Sequence, residues 1–254
     1  MKTKPVIVLL IVFFMTACAS TQPNLEKQKE KDPRYQYNLG LFYINNGMLD
    51  KSIEHLQKTI ELNPQHALAY NALGLAFSMQ GEMDKSVQYL KKSLSLNPRL
   101  TEAHNNLGSV YQEMGMLDQA EQEFLAAASD ENYHSRELPL FNLARLYALK
   151  EENQKALNFV RRALAVNDNF VMALNLKGIL HERFEQYTQA VESYEKALKV
   201  APDDINLKFN MAGAYLKDGQ LEEAREILLE IEPKASDPEL QENIAKYLKM
   251  TEKK

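Results

Sequence analysis

The sequence predicts an all-α protein, a superhelical solenoid of six helical-hairpin repeats that ends in a C-terminal capping helix. The first observation is a spacing of 34 residues, shared by Gly40, Gly74 and Gly108, by Gly47, Gly81 and Gly115, by Pro64 and Pro98, and by Ala156, Ala190 and Ala224. The second is that apolar residues recur at helical spacing in both halves of this period. One hairpin of this size buries its apolar face only against a neighbour, so a fixed period predicts a stacked array.

The repeat that begins at Ala67 shows how one unit is built. Its large apolar or aromatic residues are Tyr70, Leu73, Phe77 and Leu90, and its small ones are Gly74, Ser86 and Ser93. The small residues let two antiparallel helices approach closely, and the large ones fill the space between them. Asn97 and Pro98 end the second helix, because proline lacks an N–H group and disfavours helical geometry in the residue before it.

This pattern resembles the tetratricopeptide repeat. The six copies are Pro33–His66, Ala67–Leu100, Thr101–His134, Glu137–Phe170, Val171–Asp204, and Ile205 to about Asp237. The eleventh place is aromatic or nearly so in each copy: Tyr43, Phe77, Tyr111, Tyr147, His181 and Tyr215. Glu151 and Glu185 stand where the turn glycine is expected, which predicts looser turns in repeats four and five, and Lys177 occupies an apolar place.

Residues 1–17 are predicted to be a targeting segment and no part of the fold. Lys2 and Lys4 precede the apolar run Val6–Met15, which is short for a membrane-spanning helix. The run ends in Met-Thr-Ala-Cys18, which resembles the bacterial lipoprotein signal. This resemblance implies acylation of Cys18 and cleavage before it, and Ala19 after the cysteine implies the outer membrane, facing the periplasm. The alternative is an uncleaved anchor with an incidental cysteine.

Three further segments lie outside the regular period. Residues 18–32 are polar and of mixed charge, which predicts a flexible tether; a helical extension of repeat one from about Leu25 is the alternative. The stretch Ser129–Glu137 carries two extra residues, read as a tolerated loop insertion, a joint between two three-repeat halves or a contact loop. Residues 238–254 are predicted to form the capping helix and tail, with Asp237 as its N-cap.

Composition argues against several classes of function. The chain has 30 Lys and Arg against 35 Asp and Glu, a net charge of −5, so nothing indicates a nucleic-acid partner. Its single cysteine excludes a disulfide within the chain. The five histidines are scattered, and there is no phosphate-binding glycine loop or nucleophile elbow. We therefore expect no enzyme, no metal, no cofactor and no small-molecule substrate.

A protein-binding groove is predicted instead. In the fold that the sequence resembles, the first helix of each repeat lines a concave groove. The predicted binding residues are Tyr37, Asn38, Leu41, Ile44, Leu68, Asn71, Leu75, Met79, Asn105 and Asn106. Exposed apolar area marks a binding site, and asparagine amides suit the backbone of a bound segment. The alternatives are that the tether or the next helix covers the apolar residues, and that the asparagines bridge neighbouring helices.

A closer resemblance concerns the stretch 104–146. Asp130, Tyr133, the two-residue lengthening and Arg136, together with the lipoprotein signal and six repeats, resemble the type IV pilus biogenesis lipoproteins, the PilF/PilW-type pilotins. The resemblance implies a protein that binds the secretin subunit of the type IV pilus and promotes its outer-membrane localisation and assembly. The alternative is an adaptor of another envelope machine, such as outer-membrane protein assembly or peptidoglycan hydrolase regulation.

Overall fold

A computed structural model describes residues 28–252, which form thirteen α-helices, one short 3₁₀ helix and a helical turn at residues 28–30. No strand occurs in this part of the chain, so the all-α prediction is confirmed. The chain divides into two compact units, one up to Met116 and one from Leu117 onward.

Unit 1 is built of helices that pack in sequential order. They are α1 (Pro33–Asn45), α2 (Leu49–Leu62), α3 (Ala67–Met79), α4 (Met83–Leu96) and α5 (Thr101–Glu113). Each helix packs on the next as far as α5, and the first helices of successive repeats, α1, α3 and α5, are also neighbours. The first residues of these three helices coincide with the starts of the predicted repeats.

Close approach of the two helices in a hairpin depends on glycine. A Cβ atom on Gly74 would lie 2.5 Å from Leu90 Cγ, and one on Gly40 would lie equally close to Leu56 Cγ. In repeat two the approach is fixed by a hydrogen bond, because Ser86 Oγ donates to Gly74 O at 2.7 Å. The predicted roles of Gly74, Ser86 and Leu90 in this seam therefore agree with the structure.

The turns inside the hairpins all have one geometry, whether or not glycine is present. In repeat two Gly81 has φ +81°, and its N–H donates to Ser78 O. Glu151 and Glu185 adopt φ of 61° and 57°, and the Glu185 N–H donates to Glu182 O at 2.9 Å in the same way. The prediction of looser turns was wrong, because both glutamates accept the left-handed conformation that closes the turn.

Unit 2 has the same sequential packing of helices within itself and ends in a cap. Its helices are α6 (Leu117–Ala128), α7 (Glu137–Leu149), α8 (Asn153–Val166), α9 (Val171–Arg183), α10 (Tyr187–Val200), α11 (Ile205–Asp218), α12 (Leu221–Ile231), the 3₁₀ helix Glu232–Lys234 and α13 (Pro238–Thr251). Asp237 caps α13 by accepting from Leu240 N–H at 2.8 Å. Ile244 is fully buried, and Tyr247 stacks on Phe209 of α11. Helix α13 thus covers the last repeat.

The stretch Ser129–Glu137 connects α6 to α7 inside unit 2. The division between the units falls at Met116 and Leu117, within repeat three, and not in this stretch. The predicted joint therefore does not coincide with the boundary that the structure shows. Asp130 organises the loop, because its Oδ1 accepts from Asn132 N–H at 3.1 Å.

The N-terminal predictions fall mostly outside the described residues. Residues 1–17, Cys18 and the tether as far as residue 27 are among those that the structure does not describe. Residues 28–30 are helical rather than tether-like, and Gln36 Nε2 on α1 donates to Glu30 O at 2.9 Å. Asp32 caps α1 by accepting from Arg34 N–H. Within residues 28–252, no helix has the length and hydropathy needed to cross a membrane.

Candidate protein-binding site

The ten predicted binding residues lie on α1, α3 and α5 of unit 1, and we call all of them except Ile44 the groove face. Leu68, at the start of α3, is 43% exposed, and Met79, at its end, is 52% exposed. Tyr37, Leu41 and Leu75 are half-buried. Large apolar side chains in water at both ends of α3 are what a binding face requires.

Ile44 does not belong to the groove face. It is only 8% exposed and lies in the buried cluster that contains Leu56, Ala72, Leu73, Ala76 and Phe77. The small side chains of Ala72 and Ala76 leave space between the helices, which the Ile44 side chain fills. Ile44 was predicted to bind a partner, but the structure places its side chain in the core.

The half-buried members of the groove face support the core while keeping part of their surface in water. Tyr37, Leu41 and Leu75 all pack against the buried cluster of unit 1. The Tyr37 ring lies 4.8 Å from the His66 ring, measured between centroids. Burial, and then the negative charge of Glu102, raises the pKa of the Tyr37 hydroxyl. That hydroxyl is thus a neutral group at the edge of the face.

Two of the four asparagines of the groove face bond to each other across neighbouring helices. Asn106 Nδ2 on α5 donates to Asn71 Oδ1 on α3 at 3.0 Å. The same pairing occurs in unit 2, where Asn210 Nδ2 donates to Asn175 Oδ1 at 2.9 Å. These bonds match the bridging alternative, so a ladder reserved for a ligand backbone is not what the structure shows. Asn38 is exposed and Asn105 is half-buried.

Sequence reasoning missed two exposed aromatic residues on α1. Phe42 is 57% exposed, a larger fraction than that of Leu68 or Met79, and Tyr35 is 38% exposed. The repeat register contains the signal that could have found them. They occupy the tenth and third places of the first repeat, and no earlier repeat among the described residues covers them.

The side chains of the groove face are apolar groups and amides, which are suited to binding another protein. Across residues 28–252 no group of three or more His, Cys, Asp or Glu side chains is arranged to hold a metal ion. His181, at a predicted packing place, is buried and bonded through Nδ1 to Gln186 Oε1 at 2.8 Å. The groove face itself offers exposed apolar side chains bordered by paired amides, which suits an apolar segment of another protein.

Comparison with protein families identifies the repeat. Three segments match tetratricopeptide repeat families: residues 33–99, 89–122 and 183–247. The chain is a tetratricopeptide-repeat protein. The predicted fold class, a solenoid of tetratricopeptide repeats, is thereby confirmed. Proteins of this kind are interaction scaffolds that bind protein partners and are generally non-enzymatic.

Curated relatives of this tetratricopeptide-repeat protein match it over segments of 66 to 95 residues. One is subunit 3 of the anaphase-promoting complex of Schizosaccharomyces pombe, 30% identical over 82 residues, which are 32% of this chain and 12% of that protein. The chain spans between 4% and 57% of the length of the curated relatives that it matches. The activities of those proteins therefore say nothing direct about this one.

Solved structures give more extensive similarities. The structure of PilF of Pseudomonas aeruginosa matches with a TM-score of 0.76 and 20% identity, over 86% of this chain and 99% of that one. PilW, described as a widely conserved type IV pilus biogenesis factor, matches with a TM-score of 0.76 and 16% identity, over 82% and 96% of the two chains. At these identities the similarity shows a shared fold.

Proposed function

We propose that this tetratricopeptide-repeat protein is an outer-membrane lipoprotein that faces the periplasm and binds the secretin subunit of the type IV pilus. In this proposal the acyl chains on Cys18 hold the protein at the membrane, and the groove face of unit 1 holds the secretin. The protein promotes the localisation and assembly of the secretin and makes or breaks no covalent bond itself.

The observation that carries the proposal is the exposure of apolar side chains on α3. Burying Leu68 and Met79 against a partner removes apolar surface from water, which contributes about 1.5–3 kcal/mol for each side chain when burial is complete. Tyr37, Leu41 and Leu75 already rest on the core, so less side-chain freedom is lost when a partner covers them. An apolar helix or extended segment of the partner fits this chemistry.

Two further observations favour a type IV pilus protein as the partner over other proteins that have an apolar segment. The segment that ends in Cys18 resembles a lipoprotein signal, which suits a protein that works at an envelope pore. The fold matches that of PilF and PilW over more than four fifths of this chain.

The test replaces exposed groove-face residues with glutamate in a C-terminally tagged chain. Leu68→Glu and Met79→Glu should each weaken secretin capture about tenfold or more, because a buried charge opposes the apolar contact. Leu229→Glu is the matched control, since Leu229 is 47% exposed on α12 of unit 2. Circular dichroism should show the same helix content in all variants, because every substituted side chain is exposed.

Capture from envelope extracts, followed by identification of the captured proteins, separates the possible outcomes. Normal secretin capture by both α3 variants would show that the groove face is not the binding surface. Capture of a different envelope protein without secretin would favour the adaptor alternative. Equal loss in the Leu229→Glu control would show that the effect is not specific to the groove face.

A further inference from the structure

The third and tenth places of the first helix are buried in five of the six repeats. At the third place these residues are Ala69, Ala103, Pro139, Ala173 and Leu207, and at the tenth place Ala76, Val110, Leu146, Leu180 and Ala214. In repeat one the same places hold Tyr35 and Phe42, which are 38% and 57% exposed. Repeat one therefore presents to water a surface that every later repeat buries.

The exposed residues form one continuous stripe along α1. Tyr35 and Phe42 are seven residues apart, so they lie on one face of the helix over roughly 10 Å. We call these two residues the end stripe. In unit 2 α13 covers repeat six, but in unit 1 the outer face of repeat one has two aromatic rings where a polar cap is typical.

The size of the end stripe limits what it can bind unaided. A Phe or Tyr side chain contributes about 150–250 Å² when fully buried, and here only part of each ring is free. A stable complex between two protein copies buries roughly 800 Å² on each partner. The stripe is therefore too small to hold a second copy, but it suffices for a surface that is already held close by a tether.

We propose that the end stripe lies on the lipid bilayer and orients the repeat array relative to it. This inference rests on the proposed anchor at Cys18. Only 14 residues lead from Cys18 to Asp32, a reach of at most about 50 Å, and the bond from Gln36 Nε2 to Glu30 O holds the end of that segment against α1. The bilayer surface is thus kept within reach of Tyr35 and Phe42, whose rings suit the boundary between headgroups and acyl chains.

Charge around the stripe indicates that the contact is apolar. The exposed charged residues nearest in sequence are of both signs: Lys29, Glu30, Lys31, Asp32 and Arg34. Their sum is close to neutral, so anionic lipid is not required and added salt should leave the contact unchanged.

The test uses two features of the sequence, the absence of tryptophan and the single cysteine. Phe42→Trp places one fluorophore in the end stripe, and the Cys18 thiol of the chain that begins at Cys18 couples to phosphatidylcholine vesicles that contain a maleimide lipid. Coupling should shift the emission of the introduced tryptophan to the blue and make it quenchable by brominated acyl chains. Leu229→Trp, on α12, should show several-fold less quenching, and adding Tyr35→Glu to Phe42→Trp should reduce the quenching.

Other occupants of the stripe give different results, each of which would overturn the proposal. Unchanged emission after coupling would mean that the stripe stays in water. A blue shift in uncoupled protein that grows with concentration, together with a dimer in sedimentation, would identify a second copy. A blue shift in uncoupled protein that disappears on deletion of residues 19–27 would identify the chain's own segment. Chemical coupling replaces the cell's acylation, so failure here is distinguishable from failure of the proposed lipoprotein anchor, which mass spectrometry of Cys18 tests separately.

Discussion

Two of the left-handed turns carry glutamate at the place where the other repeats have glycine. Glu151 and Glu185 hold φ near +60°, a conformation that costs an L-residue about 1–2 kcal/mol and a glycine almost nothing. Neither turn loosens, because the packing of the flanking helices fixes its ends. The two glutamates therefore keep a strained backbone conformation, and the turns keep the same geometry as those with glycine.

Glycine at one of these turns should stabilise the protein. We expect Glu185→Gly to raise the free energy of unfolding by about 0.5–1 kcal/mol, the relief of φ strain less the added freedom of the unfolded chain. The reciprocal change, Gly81→Glu, should lower it by a similar amount through φ alone, since a Cβ at Gly81 meets nothing within 4 Å. Urea unfolding followed by circular dichroism measures both. A destabilised Glu185→Gly variant would contradict this explanation.

The asparagine pair between α3 and α5 should matter for stability more than an exposed asparagine does. Asn106→Ala leaves Asn71 Oδ1 half-buried without its donor and should cost about 1 kcal/mol of unfolding free energy. Asn38→Ala, at an exposed position on α1, should stay within about 0.5 kcal/mol of the parent. Equal effects of the two substitutions in urea unfolding would show that the bond contributes nothing.

At the scale of helices, the hairpin seam is the element that most limits substitution. Gly74→Ala would bring a Cβ to 2.5 Å from Leu90 Cγ, and we expect a loss of about 1–3 kcal/mol. Leu90→Ala alone should cost about 2–5 kcal/mol by opening a cavity. The double variant should lose less than the sum, because the new methyl group enters the space that Leu90 vacates. Strict additivity in thermal or urea unfolding would show that the two side chains do not meet.

A second element-scale prediction concerns pH and the contact between α6 and α7. Glu121 accepts from Lys150 Nζ at 2.6 Å and from the Tyr147 hydroxyl, and these bonds lower the pKa of its carboxyl below 4.5. Since the folded pKa is the lower one, the stabilisation is complete above about pH 4.5 and is lost as pH falls through the folded value. Burial, and then the bond to Glu121, raises the pKa of Tyr147 to about 12, so its hydroxyl stays a donor throughout. Glu121→Gln should flatten the dependence of the urea midpoint on pH below about 4.5, and an unchanged slope would contradict the assignment.

The period in the sequence located the elements, because each 34-residue interval fixes where a helix must begin to stack on its neighbour. The period could not predict whether a side chain is buried at places where the neighbouring side chains differ from one repeat to the next. Ile44 is buried because Ala72 and Ala76 are small, which is a property of the facing helix. Phe42 is exposed because no earlier repeat among the described residues covers it, although its place is buried in later repeats. The asparagine pairs depend on a 35-residue register between helices, one more than the period.

At the scale of the whole molecule, anchoring and binding are separable in the proposed function. Cys18→Ser should leave the helix content and secretin binding of the purified protein unchanged, because Cys18 lies outside the repeats. The same variant should leave the outer-membrane fraction and appear with released periplasmic proteins, as shown by fractionation and immunoblotting. Retention in the outer-membrane fraction would contradict lipid anchoring at this residue.

The cap on repeat six has a consequence for how the chain is made. Synthesis proceeds from the N-terminus, so α13 becomes available after α11 and α12, and until then Phe209 and the other side chains that meet Ile244 and Tyr247 stay uncovered. A chain that stops before Pro238 would lack α13 and leave that apolar surface open to proteases and chaperones. Exposure of this surface thus distinguishes a chain that has α13 from one that lacks it.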